Sequence, residues 1–181
     1  DLIKNELINY QPDIFVIFDG YNDIQQEVFN KNNNEVMWKD RWIEICKLGM
    51  KENFDTVILL QPTLGTIDQN KRIPIDQEII LLKLRDIENV PLTSAYEKYP
   101  AVLSELEKKC TIVKNFQSIF DETYNAVFYD FGHVNQLGHE IISKKILDEL
   151  RPLLNDKYSI ELPSEKDTQK SIVFNEIPSN L

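Results

Sequence analysis

An α/β architecture built on a parallel sheet is what this 181-residue sequence predicts. Three short apolar runs carry that expectation: 13–18 (Asp-Ile-Phe-Val-Ile-Phe), 56–60 (Thr-Val-Ile-Leu-Leu) and 111–113 (Thr-Ile-Val). Each is short and rich in β-branched or aromatic residues, which suits strands buried in a parallel sheet. Between them lie stretches with apolar residues at helical spacing, the crossovers that parallel strands require.

In order along the chain, Leu2, Ile3, Leu7 and Ile8 predict the end of a helix packed on the sheet. The strand at 13–18 breaks off at Asp19-Gly20-Tyr21-Asn22-Asp23, at the carboxyl edge where open α/β sheets build their sites. Lys31-Asn32-Asn33-Asn34 predicts a mobile loop over 24–35 near that edge, or an insertion without a role. Met37, Trp38, Arg41, Trp42, Ile45 and Cys46 mark a helix face over 36–47, with Gly49 as its C-terminal stop. After the strand at 56–60, Gln61-Pro62-Thr63-Leu64-Gly65-Thr66 predicts a turn at the same edge as Asn22.

Two helices are expected at 75–89 and 93–109, divided at Val90-Pro91. In the first, Ile79, Ile80, Leu82, Leu84 and Ile87 cover more than one stripe. Tyr96 and Tyr99 suit either solvent or a pocket. The last helix is expected from Asn135, a good N-cap, to about Leu154, with Ile141, Ile142, Ile146, Leu147 and Leu150 facing the core and Pro152 tolerated only at its end. The tail reads as a hairpin or docked extension, so the domain is expected over 1–156 and the extension over 157–181.

With 42% hydrophobic and 28% charged residues, the chain has material for one ordinary core. No run is long enough to span a bilayer. The net charge of −10 argues against nucleic acid and anionic surfaces as partners. Cys46 and Cys110 fit no metal or redox spacing and read as small buried hydrophobes. A visible signal peptide and N-x-S/T acceptors are both lacking; localisation stays open, with a lean towards a cytoplasmic setting.

Chemistry is concentrated in Tyr129-Asp130-Phe131-Gly132-His133-Val134-Asn135. A turn of that length can fold the Asp130 carboxylate onto the His133 ring, fixing its tautomer and leaving the other nitrogen to take a proton. The same residues also suit a plain helix cap with a half-exposed loop histidine. Asn22, after the turn permitted by Gly20, can present an amide to a developing oxyanion. His139, on the following helix, reads as structural.

The G-x-N-D at Gly20, Asn22 and Asp23 and the D-x-x-H at Asp130 and His133, with their flanks Asn9–Asp13 and Gly132–Gly138, resemble the SGNH hydrolases, the GDSL esterase and lipase superfamily. The resemblance spans about residues 5 to 152. It implies a flavodoxin-like three-layer α/β/α sandwich and a serine esterase acting on acyl or acetyl esters, with no cofactor. His133 would be the general base, Asp130 its orienting partner and Asn22 an oxyanion donor, with Gln61 and Thr63 as substrate contacts. The substrate would be a small-molecule, carbohydrate or lipid ester.

In that family a G-D-S segment bearing the nucleophile, and a second oxyanion Gly, stand upstream of G-x-N-D. No Gly-Asp-Ser occurs here, and Ser94, Ser104, Ser118 and Ser143 lack its context. The chain therefore reads as roughly the last two thirds of such a hydrolase, its first strands and its serine lying outside. The strand at 13–18 would then be a sheet edge prone to self-association. Two other readings are a non-catalytic binding module on the same fold and a metal-dependent phosphoesterase using Asp19, Asp23, Asp130 and His133.

Overall fold

The computed structural model describes residues 2–24, 34–66, 76–87 and 96–162. Residues 25–33 of the loop expected over 24–35, the Val90-Pro91 break and the tail beyond 162 lie outside the described residues, and Asn34 and Glu35 open a helix instead. The chain divides into two compact units, Asp1–Ile142 and Ser143–Leu181.

Within the first unit, β1 (Ile14–Asp19), β2 (Asp55–Leu60) and β3 (Ile112–Asn115) form a parallel sheet in the order β1-β2-β3. Its register sets Val16 beside Val57, and Val57 beside Ile112. The three strands fall on the three apolar runs, and β2 is buried along its whole length, as a central strand must be. The expected opening helix is instead split into α1 (Leu2–Asn5) and a 3-10 turn at Leu7–Tyr10. Glu6 leaves helical angles at φ −123° and ψ −62°, which interrupts the hydrogen-bond ladder.

Helix α2 (Asn34–Glu52) is longer than its apolar pattern suggests. Trp38, Trp42, Ile45 and Cys46 are buried, while Met37 and Arg41 point outwards. Gly49 does not stop the helix; it lies inside it, because a Cβ there would stand 2.7 Å from the Phe54 carbonyl oxygen. The stop is Asn53, left-handed at φ 65°, after which the Phe54 N–H reaches back to the Gly49 carbonyl at 2.9 Å. That is a Schellman closure.

Helix α3 spans Asp76–Ile87, and α4 is confined to Tyr99–Leu106 with Pro100 in its first turn, so it starts later and ends earlier than the sequence pattern predicts. Tyr96 and Tyr99 face neither solvent nor a pocket. Both are fully buried, stacked edge-on at 5.3 Å, with Trp38 against Tyr99 at 5.5 Å. Asn135 caps α5 (Gln136–Tyr158), its Oδ1 accepting the Gly138 N–H at 3.0 Å and its Nδ2 donating to Ala126 at 2.7 Å. Pro152 sits inside α5 and not at its end: it removes one N–H from the ladder without ending the helix. The described part of the second unit is the rest of α5, with a Lys145–Glu149 ion pair, followed by residues 159–162. No helix among the described residues is long and apolar enough to cross a membrane.

Cys46 and Cys110 are not separate thiols. They form a disulfide, with Cα atoms 5.0 Å apart, that ties α2 to the turn before β3 across a sequence separation of 64. Disulfides form and persist in oxidising compartments. Closing a loop of this length is worth roughly 4 kcal/mol. Replacing both cysteines with alanine should lower the unfolding free energy in urea by about that amount; an unchanged midpoint and slope would show that the bond adds nothing.

Candidate active site

Phe128 and Val134 form an antiparallel bridge, and the Tyr129 N–H donates to the His133 carbonyl at 2.9 Å, closing residues 129–133 into a narrow hairpin. Inside it, Asp130 Oδ1 accepts the N–H groups of Gly132 and His133, both at 2.8 Å. Oδ2 lies 2.7 Å from His133 Nδ1. Partial burial pushes the Asp130 carboxyl up, but the two N–H donors and the imidazole outweigh it and hold the group below its ordinary value. A carboxylate on Nδ1 favours the tautomer with the proton there, which leaves Nε2 as the ring's acceptor. The His133 side chain is 73% exposed, open to an incoming group.

The G-x-N-D loop leaves β1 through Gly20 at φ 138°, where a Cβ would meet the Tyr96 hydroxyl at 2.7 Å and Leu60 Cδ1 at 2.9 Å. Residues 21–24 then form a helical turn, the Ile24 N–H donating to the Gly20 carbonyl at 3.2 Å. Asn34 Nδ2 donates to the Asp23 carbonyl at 2.8 Å. Arg41 bridges Asp19 at 3.2 Å and Asp23 at 2.9 Å. Burial, then the Asp23 charge, raise the Asp19 carboxyl, and the Gly20 N–H and Arg41 only partly offset them. Burial works against the Arg41 charge, yet the two carboxylates win and raise its value. Asn22 stands exposed on this tethered turn.

The two motifs meet. Tyr21 is buried, with its ring edge-on to His133 at 6.0 Å between centroids. A Cβ at Gly132 would lie 2.3 Å from the Tyr21 ring, so glycine is what lets the hairpin close on it. From β2, Gln61 Nε2 donates to the Gly132 carbonyl at 3.1 Å, and the Leu64 N–H donates to the Phe131 carbonyl at 2.8 Å. Asp130 and His133 are thus in direct contact, Asn22 joins them through its neighbour Tyr21, and Gln61 joins them through Gly132. Thr63 is only 4% exposed, enclosed in a turn where Thr66 Oγ1 donates to its carbonyl at 2.8 Å. His139 lies in the first turns of α5, its N–H donating to the Asn135 carbonyl at 2.9 Å.

Two supporting roles, those of Tyr21 and Gln61, and one supporting residue, Glu78, escaped the sequence reading. Tyr21 and Gln61 brace the hairpin, and Glu78, fully buried on α3, accepts the Val127 N–H at 3.0 Å and holds the segment leading into it. Arg41 gave a usable signal, since a charge on an otherwise apolar helix face calls for a carboxylate partner. A cleft of about 760 Å³, lined by Ile8, Pro12, Asp13, Leu48 and Phe54 among others, lies at the amino ends of β1 and β2, the rim away from this chemistry.

No protein-family model and no curated protein matches the sequence. Among solved structures, a mutant of an acetyl-xylooligosaccharide esterase from Geobacillus aligns with a TM-score of 0.60 at 13% identity, over 82% of this chain. The chain spans 64% of that esterase's length. An acetyl xylan esterase aligns at a TM-score of 0.45 and 16% identity, over 81% of this chain and 71% of its own. The likeness to the first shows the fold: this parallel α/β arrangement is shared with that esterase.

The Asp130 charge has a measurable signature. Its native value lies below the ordinary carboxylate value of about 4, so its contribution to stability is whole above about pH 4 and fades as pH falls through the lower native value. Asp130→Asn keeps an oxygen for the two N–H groups but not the charge. Urea unfolding against pH should show the parent more stable at neutral pH, with the gap closing in acid; a gap independent of pH would refute the assignment.

Proposed function

We propose that this chain is part of a serine ester hydrolase. It supplies the general base His133, the orienting carboxylate Asp130 and the oxyanion donor Asn22, and the attacking serine stands on a segment outside it. The observation that carries the reading is the 2.7 Å contact of His133 Nδ1 with Asp130 Oδ2, on a hairpin braced against the loop that bears Asn22. A serine hydroxyl attacks the ester carbonyl and gives its proton to Nε2, while Asp130 stabilises the imidazolium. The Asn22 amide donates to the tetrahedral oxyanion. The proton then passes to the departing alcohol, and water repeats the sequence on the acyl-enzyme.

The serine-bearing segment would add a strand beside β1, whose described partner is β2 alone and whose Val16 is 41% exposed. Without it, the same edge would accept another copy of the chain. An acetylated saccharide is the substrate favoured by the likeness to the acetyl-xylooligosaccharide esterase. A metal-dependent phosphoesterase suits the site less well. Asp19 and Asp23 share the Arg41 guanidinium, and Asp130 spends both oxygens on its own hairpin.

The test is hydrolysis of p-nitrophenyl acetate and an acetylated xylo-oligosaccharide by the protein carrying its upstream segment. Asn22→Ala should fold normally and lose about 100- to 1000-fold in turnover. Parental activity in that variant would remove Asn22 from the mechanism. An inert parent would favour the non-catalytic module.

A further inference from the structure

We infer that Gln61 is a positioning residue for the Asp130–His133 pair, acting through the one peptide group that joins Gly132 to His133. The inference rests on the reading of that pair as orienting carboxylate and base. Both polar ends of this peptide are engaged. Its carbonyl oxygen, that of Gly132, accepts from Gln61 Nε2 at 3.1 Å. Its N–H, that of His133, donates to Asp130 Oδ1 at 2.8 Å. Asp130 then returns to the same residue, Oδ2 to Nδ1, at 2.7 Å.

Four groups therefore form one hydrogen-bonded chain: the Gln61 amide, the peptide, the carboxylate and the imidazole. A donor on the carbonyl polarises the peptide and strengthens the donation made by its N–H, because linked hydrogen bonds reinforce one another. The same donor fixes the tilt of the peptide plane. That tilt sets where Oδ1 sits, and hence where Oδ2 meets the ring.

Gln61 is well placed to do this because it is itself fixed. It follows directly on β2, the central strand. Its backbone N–H donates to the Asp19 carbonyl at 3.0 Å, and its own carbonyl accepts from the fully buried Tyr96 hydroxyl. The amide is thus held out from the sheet towards the hairpin. An N–H committed to Gly132 is a different use of Gln61 from a substrate contact.

The groups acting on Asp130 are the N–H donors of Gly132 and His133 and the His133 imidazole, so a weakened donor shows in its titration. The test uses the chain as it stands, with Gln61→Leu, which keeps bulk and removes the donor, and Gln61→Glu, which sets an acceptor against the Gly132 carbonyl. The Asp130 carboxyl carbon is followed by NMR against pH, together with hydrogen exchange of the His133 amide. Both variants should move the Asp130 midpoint upwards and speed His133 exchange by about 3- to 10-fold, the ordinary worth of one hydrogen bond, with β2 amides unchanged. A role confined to packing would lower the melting temperature and leave both readouts of Gln61→Leu at parental values, and that result overturns the inference; the Gln61→Glu midpoint rises by the added charge alone, so for that variant the His133 exchange decides. If Gln61→Leu does not fold, Gln61→Met gives the same two readouts. Neither needs turnover, so a shifted midpoint here together with an inert protein carrying its upstream segment would sink the hydrolase reading and leave the brace standing.

Discussion

One carboxylate with three donors governs the local geometry. Asp130 Oδ1 takes the two N–H groups that the hairpin turns inwards, and this leaves Oδ2 aimed at the His133 ring. Were those N–H groups unpaired, the hairpin would have no reason to close at this width. Were the carboxylate neutral, the charge-assisted bonds would weaken together. The lowered Asp130 value and the position of the imidazole are two consequences of the same arrangement.

The rim around it is made by the parallel sheet. Strands running one way deliver β1 and β2 to the same edge, where each ends in a loop that reaches the hairpin. The β1 loop supplies the Tyr21 ring and the β2 loop supplies the Gln61 amide, so the hairpin is pressed from one side and tied from the other. Arg41, anchored on α2, bridges two carboxylates on either side of Asn22 and offsets part of their mutual repulsion. The α2 helix is in turn tied across the core by the Cys46–Cys110 bond.

What could be read from the sequence follows how local each interaction is. Asp130 and His133 are three positions apart, and Asn135 caps a donor three positions on, so spacing alone encodes both contacts. The strands were legible because a buried parallel strand has no polar face to hide it. Gln61 finds its partner 71 positions away, and Cys46 pairs across 64, distances at which spacing carries no geometric information. Gly49 misled because glycine serves both as a helix stop and as a point of close approach, and only the Phe54 carbonyl tells which. Tyr96 and Tyr99 were undecided for a similar reason: a tyrosine near a helix start suits core and surface equally until its neighbours are known.

The claim beneath all of this is that the early loop and the late hairpin share one rim. The most direct measurement is a nuclear Overhauser contact between the Tyr21 ring protons and the Gly132 α-protons in the labelled chain. A strong cross-peak is the result this structure predicts. Its absence, in a chain whose sheet resonances show β1 paired with β2, would mean that the two motifs stand apart and that no common site exists.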